Sequence, residues 1–258
     1  MPGETLHTSL PDIYLLYVIP ILVALLLGVL FPVARHITDA SQRRQYYLIQ
    51  VIMLISAIVG AKLVFLFGEY GWPIRGVDDW VEVLYTGRSI VGALIFGLLG
   101  AELAKPLLNY SLPPNDRFAA LLPFTIAIGR VGCLLSGCCR GVPSDGPLAI
   151  HYSDGIARHP AQVYEIIFHI TASLAAILLI RKQRFRGNVF SLYLISYGVF
   201  RFLTEFVRET PRLFGPLSSY QWLSLFMAVL GTGFLVKRTY FPSEKWRAYF
   251  ANPSESAA

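Results

Sequence analysis

Seven apolar runs, each about the length needed to cross a bilayer, constrain this chain more than any other feature; they lie at 12–34, 45–67, 88–108, 118–136, 161–181, 188–207 and 218–237. A spanning helix needs about 20 predominantly apolar residues, because a rise of ~1.5 Å per residue must cover a hydrocarbon core of ~30 Å. Within lipid, backbone polar groups are satisfied only inside helices or closed barrels, and runs of this length select helices. The sequence therefore predicts an all-α, polytopic integral membrane protein with seven transmembrane helices. A hydrophobic fraction of 55%, a charged fraction of 15% and a mean hydropathy of +0.54 fit that class. The expectation is a single membrane-embedded domain over 1–258, with a polar, partly disordered tail at 240–258. The first run does not read as a cleavable signal peptide, since no basic residue precedes it and it is too long.

A net charge of +6 invites a nucleic-acid partner, but the placement of the charges argues against one. Thirteen basic residues fall on one side of the predicted bundle: Arg35, Arg43, Arg44, Lys105, Arg117, Arg181, Lys182, Arg184, Arg186, Lys237, Arg238, Lys245 and Arg247. The other side has six, Arg75, Arg88, Arg140, Arg158, Arg208 and Arg212. The positive-inside rule then places the amino terminus outside and the carboxyl terminus in the cytoplasm. The basic excess is a topology signal, and no nucleic acid is expected.

Three basic residues, Lys62, Arg130 and Arg201, lie inside predicted helices. Such residues are costly in lipid and usually have a partner or a task. Arg130 belongs to TIAIGRVGCLLSGCCRG at 125–141, which also holds four glycines and all three cysteines of the chain. Counted from the cytoplasmic ends of their helices, Arg130 and Arg201 reach depths of roughly 18 and 20 Å. Lys62, Gln162, Tyr164, Glu165 and Glu205 fall in the same outer third, so one polar site facing the outer leaflet is expected. Two guanidiniums at headgroup depth suit a phosphate, whose oxygens match the planar fork. The run at 161–181 also starts on the outer side, so its positive dipole end can face an anion. The competing reading is an ion-pair network, Arg130–Glu165 and Arg201–Glu205, that ties helices together. Lys62 is equally open to snorkelling toward the headgroups.

The cysteines follow C-x4-C-C, which lacks the C-x2-C spacing of common zinc sites, so no metal is expected. Neither is any other cofactor. Packing, a disulfide from Cys133 to Cys138 or Cys139, and a thiolate activated by nearby arginines all stay open.

Several stretches, in register, carry a family likeness. GRVGCLLSGCCRG at 129–141, VGAKL at 59–63, HPAQVYE at 159–165, YGVFRFLTEFVRE at 197–209 and YQWLS at 220–224 resemble the signature segments of bacterial prolipoprotein diacylglyceryl transferases. The resemblance implies a seven-helix enzyme of the cytoplasmic (inner) membrane that moves the diacylglyceryl group of phosphatidylglycerol, or a similar anionic phospholipid, to the lipobox cysteine of a lipoprotein precursor's signal peptide. It implies that Arg130 and Arg201 hold phosphate and glycerol, with Glu205 and Gln162 positioning Arg201 and the headgroup. Gly132 and Gly141 would leave room for backbone contact, Tyr17 matches the family's first-helix tyrosine, and Lys62, Tyr164 and Glu165 complete the substrate-binding set. The chain departs from the pattern where the family has His-Gly-Gly, reading Val91-Gly92-Ala93, and the signature asparagines and glutamate become Cys133, Ser136 and Cys138. Proton acceptance would then fall to Glu205, to a thiolate of Cys133 or Cys138, or to His159. A paralogue with another acceptor, a non-catalytic lipid-binding or membrane-assembly protein, and a thiol-redox protein are the alternatives.

Overall fold

The computed structural model describes residues 39–71, 87–110, 116–212, 215–242, 244, 246 and 247. Among these, six helices are long and apolar enough to cross a membrane: α1 (Ala40–Tyr70), α2 (Ile90–Leu107), α3 (Arg117–Leu135), α4 (Ala161–Arg181), α5 (Val189–Thr204, prolonged by a 3-10 turn at Glu205–Val207) and α6 (Ser219–Tyr240). They answer six of the seven expected runs. The run at 12–34, which carries Tyr14 and Tyr17, lies outside the described residues. The helix ends are fixed by local chemistry. Asp39 accepts a bond of 2.8 Å from the Ser41 amide and starts α1 ahead of its apolar run. Ser218 and Gln221 cap α6 reciprocally, the Ser218 hydroxyl accepting from the Gln221 amide at 3.2 Å and the Gln221 carbonyl oxygen from the Ser218 amide at 2.8 Å.

One unit comprises Asp116–Tyr193 and Leu203–Glu209. Here α3 packs along α4, and Ala119, Ala176 and Val189 form a small apolar centre. Their small volume lets the backbones approach, and the Ser173 hydroxyl donates 2.7 Å to the Ala120 carbonyl across the gap. Asp116 accepts from the amides of Gly187 and, at 3.0 Å, Val189, so a side chain from the start of α3 caps α5. The connection from α3 to α4 contains a hairpin. Its strands, β1 (Ile150–His151) and β2 (Ala157–Arg158), pair antiparallel with Ile150 opposite Arg158. The turn is closed by Asp154, whose Oδ1 accepts 3.1 Å from the Ile156 amide. Among the described residues, the regular structure is helical apart from this small hairpin.

The second unit holds the described residues of Val33–Asn115, Leu194–Phe202 and Thr210–Ala258. In it α1 packs along α2 on a seam of small residues. A Cβ added to Gly92 would lie 2.4 Å from the Gly60 carbonyl oxygen, so no larger residue fits there. Gly97 and Gly100 continue the seam, facing Ala57 and Ser56. Glu102 of α2 pairs with Lys105 and, at 2.7 Å, with Arg238 of α6.

Candidate functional site

α4 is apolar outside and polar inside. Gln162, Glu165, His169 and Ser173 share one face and are buried, with Gln162 and Glu165 at 0% and 1% exposure, whereas Ile167 is 60% exposed. That reversal of the soluble pattern suits a helix surrounded by lipid that keeps its polar groups within the protein.

The buried face meets Arg130, in the C-terminal part of α3. Arg130 Nε lies 2.6 Å from Glu165 Oε2. Arg208 donates from a terminal nitrogen to Glu165 Oε1 at 3.3 Å, and its Nε stands 3.8 Å from Glu205 Oε2. Arg130, Glu165, Arg208 and Glu205 therefore alternate in sign along one row and balance to zero formal charge. Each charge has an opposite neighbour, which offsets the several kcal/mol that desolvating an isolated ion costs. The Arg130–Glu165 half of the expected ion-pair network is present. Arg208 was missed as a site residue because hydropathy put it in an outer loop. The 3-10 turn places it one turn after Glu205, and that i, i+3 spacing was the signal that could have found it.

Gln162 is hydrogen-bonded through both ends of its side-chain amide. Its carbonyl oxygen accepts 2.9 Å from the Tyr152 hydroxyl, and its amide nitrogen donates to the Cys138 carbonyl. Gln162 thus ties the loop between α3 and α4 and the cysteine turn to α4. Gly141 likewise leaves no room beside its backbone. A Cβ there would come within 2.5 Å of the Val207 carbonyl oxygen and 2.7 Å of His159. The Gly141 amide donates 2.9 Å to the His159 carbonyl, and Val142 donates 3.0 Å to that of Val207. Tyr164 shares a 3.0 Å hydrogen bond with His159 Nδ1, and Gly132 is buried in α3.

The loop between α3 and α4 is fastened by charge. Asp154 takes Arg140 at 2.6 Å and Arg158 at 3.4 Å, while Arg158 also reaches Glu209 at 2.9 Å. The Ile156 amide first, then the two guanidiniums, hold the Asp154 carboxyl below the usual range for aspartate. Burial pushes the Tyr152 hydroxyl up.

The three cysteines converge. Their sulfurs lie within 4.8 Å of one another, and none is in a disulfide. The spacing alone hides this, because left-handed backbone at Gly137 (φ 66°) and Cys139 (φ 59°) folds the chain back on itself. Arg130 stands 3.9 Å from the Cys133 sulfur, and the Ser136 hydroxyl donates to the Cys138 sulfur at 3.3 Å. Contacts from the Cys133 and Cys138 thiols hold the Cys139 thiol below its ordinary range.

In the second unit, Arg201 is buried with its guanidinium 5.7 Å from the centre of the Tyr220 ring. The Tyr220 hydroxyl donates 2.9 Å to Glu69. Tyr220 therefore orients Arg201 by a cation–π contact that hydropathy cannot reveal. Lys62 donates 3.0 Å to the Gly87 carbonyl, a structural tie between the end of the loop and α1. Tyr17 lies outside the described residues.

Residues 11–237 match the sequence pattern of a family described as prolipoprotein diacylglyceryl transferase. The chain belongs to this family. It is 40% identical over 197 residues to a phosphatidylglycerol–prolipoprotein diacylglyceryl transferase of Methylobacillus flagellatus, covering 70% of this chain and 73% of that one. Proteins of the same name from Clostridium tetani and Polynucleobacter asymbioticus are 32% and 33% identical, over 70% and 72% of this chain and 76% and 74% of theirs. The match to the transferase family takes in α1 to α5, the hairpin and most of α6, so every residue of the buried quartet falls within it.

Proposed function

We propose that this protein transfers the diacylglyceryl group of phosphatidylglycerol to the cysteine thiol of a prolipoprotein. The observation that carries the reading is membership of the diacylglyceryl transferase family over 11–237, with Arg130 and Glu165 of that stretch paired in a buried network. In the reaction the acceptor sulfur attacks the glyceryl carbon that bears the phosphate. The C–S bond forms as the C–O bond breaks, glycerol phosphate leaves with the electron pair, and the thiol proton passes to an acceptor. That chemistry needs fixed positive charge for the departing phosphate and shelter from water.

Arg130 is proposed to meet the phosphate, fixed in orientation by Glu165, with Arg208 and Glu205 behind. Arg201, held by Tyr220, is proposed as the second guanidinium on the strength of its sequence motif. Cys133 and Cys138 stand where the family has asparagine and glutamate. With His159 and Glu205, they are the proposed candidates for handling the acceptor's proton. Tyr17, Lys62, Gly132 and Tyr164 keep their proposed places around the donor. The acceptor is proposed to be the lipobox of a precursor's signal peptide.

A seventh helix at 12–34, an outer amino terminus and a site facing the outer leaflet of the bacterial inner membrane complete the proposal, supported by the thirteen-to-six basic asymmetry. In a background lacking the native cysteines, a cysteine at Gln183 should resist an impermeant thiol reagent in intact cells, and ready labelling there would reverse the topology. The decisive assay presents detergent-solubilised protein with phosphatidylglycerol labelled in its acyl chains and a lipobox peptide. The expected outcome is a thioether-linked diacylglyceryl peptide with equimolar glycerol phosphate. Intact donor, together with failure to rescue cells depleted of their own diacylglyceryl transferase, would overturn the reading.

A further inference from the structure

Cys133, Cys138 and Cys139 occupy the position where this chain departs most from the family's signature, and they form a cluster instead of a scattered set. From their geometry we infer that the three sulfurs bind one thiophilic divalent cation, Zn2+, and leave its fourth position open for the acceptor thiol. The role of the fourth position rests on the transferase reading above; the metal site does not.

Three observations support the site. The sulfurs lie within 4.8 Å of one another, whereas a tetrahedral centre with Zn–S bonds of ~2.3 Å has edges of about 3.8 Å. Closing onto an ion therefore takes at most about an ångström of movement on the widest side. Next, Cys139 holds a left-handed backbone, a conformation that costs a residue with a Cβ roughly 1–2 kcal/mol. Gly137, two residues earlier, has the same hand without that cost, so the chain tolerates strain where it turns the third sulfur inward. Finally, three thiolates around Zn2+ leave a net charge of minus one, and the Arg130 guanidinium, 3.9 Å from Cys133, is near enough to offset part of it while it stays paired with Glu165.

Three protein ligands and an open position make the pattern of a reactive zinc centre, as opposed to a closed structural one. A thiol that binds such an ion is deprotonated on coordination. Its proton passes to solvent at the outer face, and the thiolate is then available to form the C–S bond as phosphate leaves. That arrangement supplies what the missing histidine base would have supplied.

The test uses the full chain, purified in detergent under reducing conditions and titrated with Co2+ and then Zn2+. Expected are one Co2+ per chain, a thiolate-to-cobalt charge-transfer band that Zn2+ abolishes, and loss of the band in each of Cys133→Ser, Cys138→Ser and Cys139→Ser. Each substitution should weaken binding by more than the ~10–100-fold that outer-shell changes cost. A lipobox peptide containing cysteine should shift the cobalt spectrum, and its serine counterpart should not. No stoichiometric band, a band indifferent to Cys139→Ser, or a native disulfide among the three cysteines in protein taken directly from membranes would overturn the site. A spectrum unmoved by the cysteine peptide overturns the fourth-ligand role. A normal spectrum and peptide shift with no lipid transfer by the zinc-loaded protein would sink the transferase reading and leave the site standing.

Discussion

Replacing Glu165 with glutamine should separate a positioning role from mere packing. Glu165 holds Arg130 at 2.6 Å and Arg208 at 3.3 Å while only 1% exposed. For unit charges about 4 Å apart at an effective dielectric constant near 20, each pair is worth roughly 4 kcal/mol before desolvation is charged against it. Breaking a buried pair by removing one partner costs about 3–5 kcal/mol. Glutamine keeps one carbonyl acceptor, so the low end, about 3 kcal/mol, is expected. At roughly 2–4 °C per kcal/mol for a chain of this size, the Tm in detergent should fall on the order of 10 °C. Turnover should fall further, by about 100-fold, because a misplacement near 1 Å at a charge-stabilising group has that effect. Glu165→Asp keeps the charge but shortens the reach, so it should spare most of the Tm and still lower turnover. The assays are thermal unfolding by circular dichroism and transfer from phosphatidylglycerol to a lipobox peptide. A Glu165→Gln protein with unchanged Tm and full turnover would refute the claim that this carboxylate sets Arg130.

Arg201→Lys retains the charge but loses the planar fork and the stacking on Tyr220, so turnover should drop at least tenfold, with a stability loss of about 1 kcal/mol; full activity would remove Arg201 from the mechanism. Gly141→Ala drives a Cβ against the Val207 carbonyl and His159, and overpacking of this kind costs about 1–3 kcal/mol, read as a lower Tm and faster proteolysis in the outer loop. Because the Asp154 carboxyl is held below its ordinary range, its ties to Arg140 and Arg158 contribute in full above about pH 4 and are lost as pH falls through the lowered value. Hydrogen exchange in the hairpin should thus be flat from neutral pH to about pH 4, after correction for intrinsic rates, and rise only below it; release near pH 6 would contradict the assignment.

Sequence reasoning located the helices well because hydropathy is a one-dimensional property, and the observed ends differ from the apolar runs mainly where a cap, such as Asp39 at α1, adds a turn. It also found Arg130 and Glu165 as partners, since charge inside an apolar run must be compensated and few acids lie at the same depth. It could not find Arg208, whose place depends on a 3-10 turn that brings an apparent loop residue back beside Glu205. Nor could it find the cysteine cluster, because C-x4-C-C closes only through two left-handed residues, one of them not glycine.

The row Arg130–Glu165–Arg208–Glu205 has no net charge, and this bears on how an anionic donor is met. A phosphate approaching Arg130 adds a negative charge to a set that is already balanced, and it competes with Glu165 for the same guanidinium. Two carboxylates within the row oppose it as strongly as two guanidiniums attract it. Net attraction therefore requires a cation outside the row. Arg201 is the buried cation that the sequence motif proposes for that role, and its guanidinium lies 5.7 Å from the centre of the Tyr220 ring. Changing Tyr220 to glutamate should accordingly lower turnover, because a new carboxylate beside Arg201 would offset positive charge proposed to meet the phosphate.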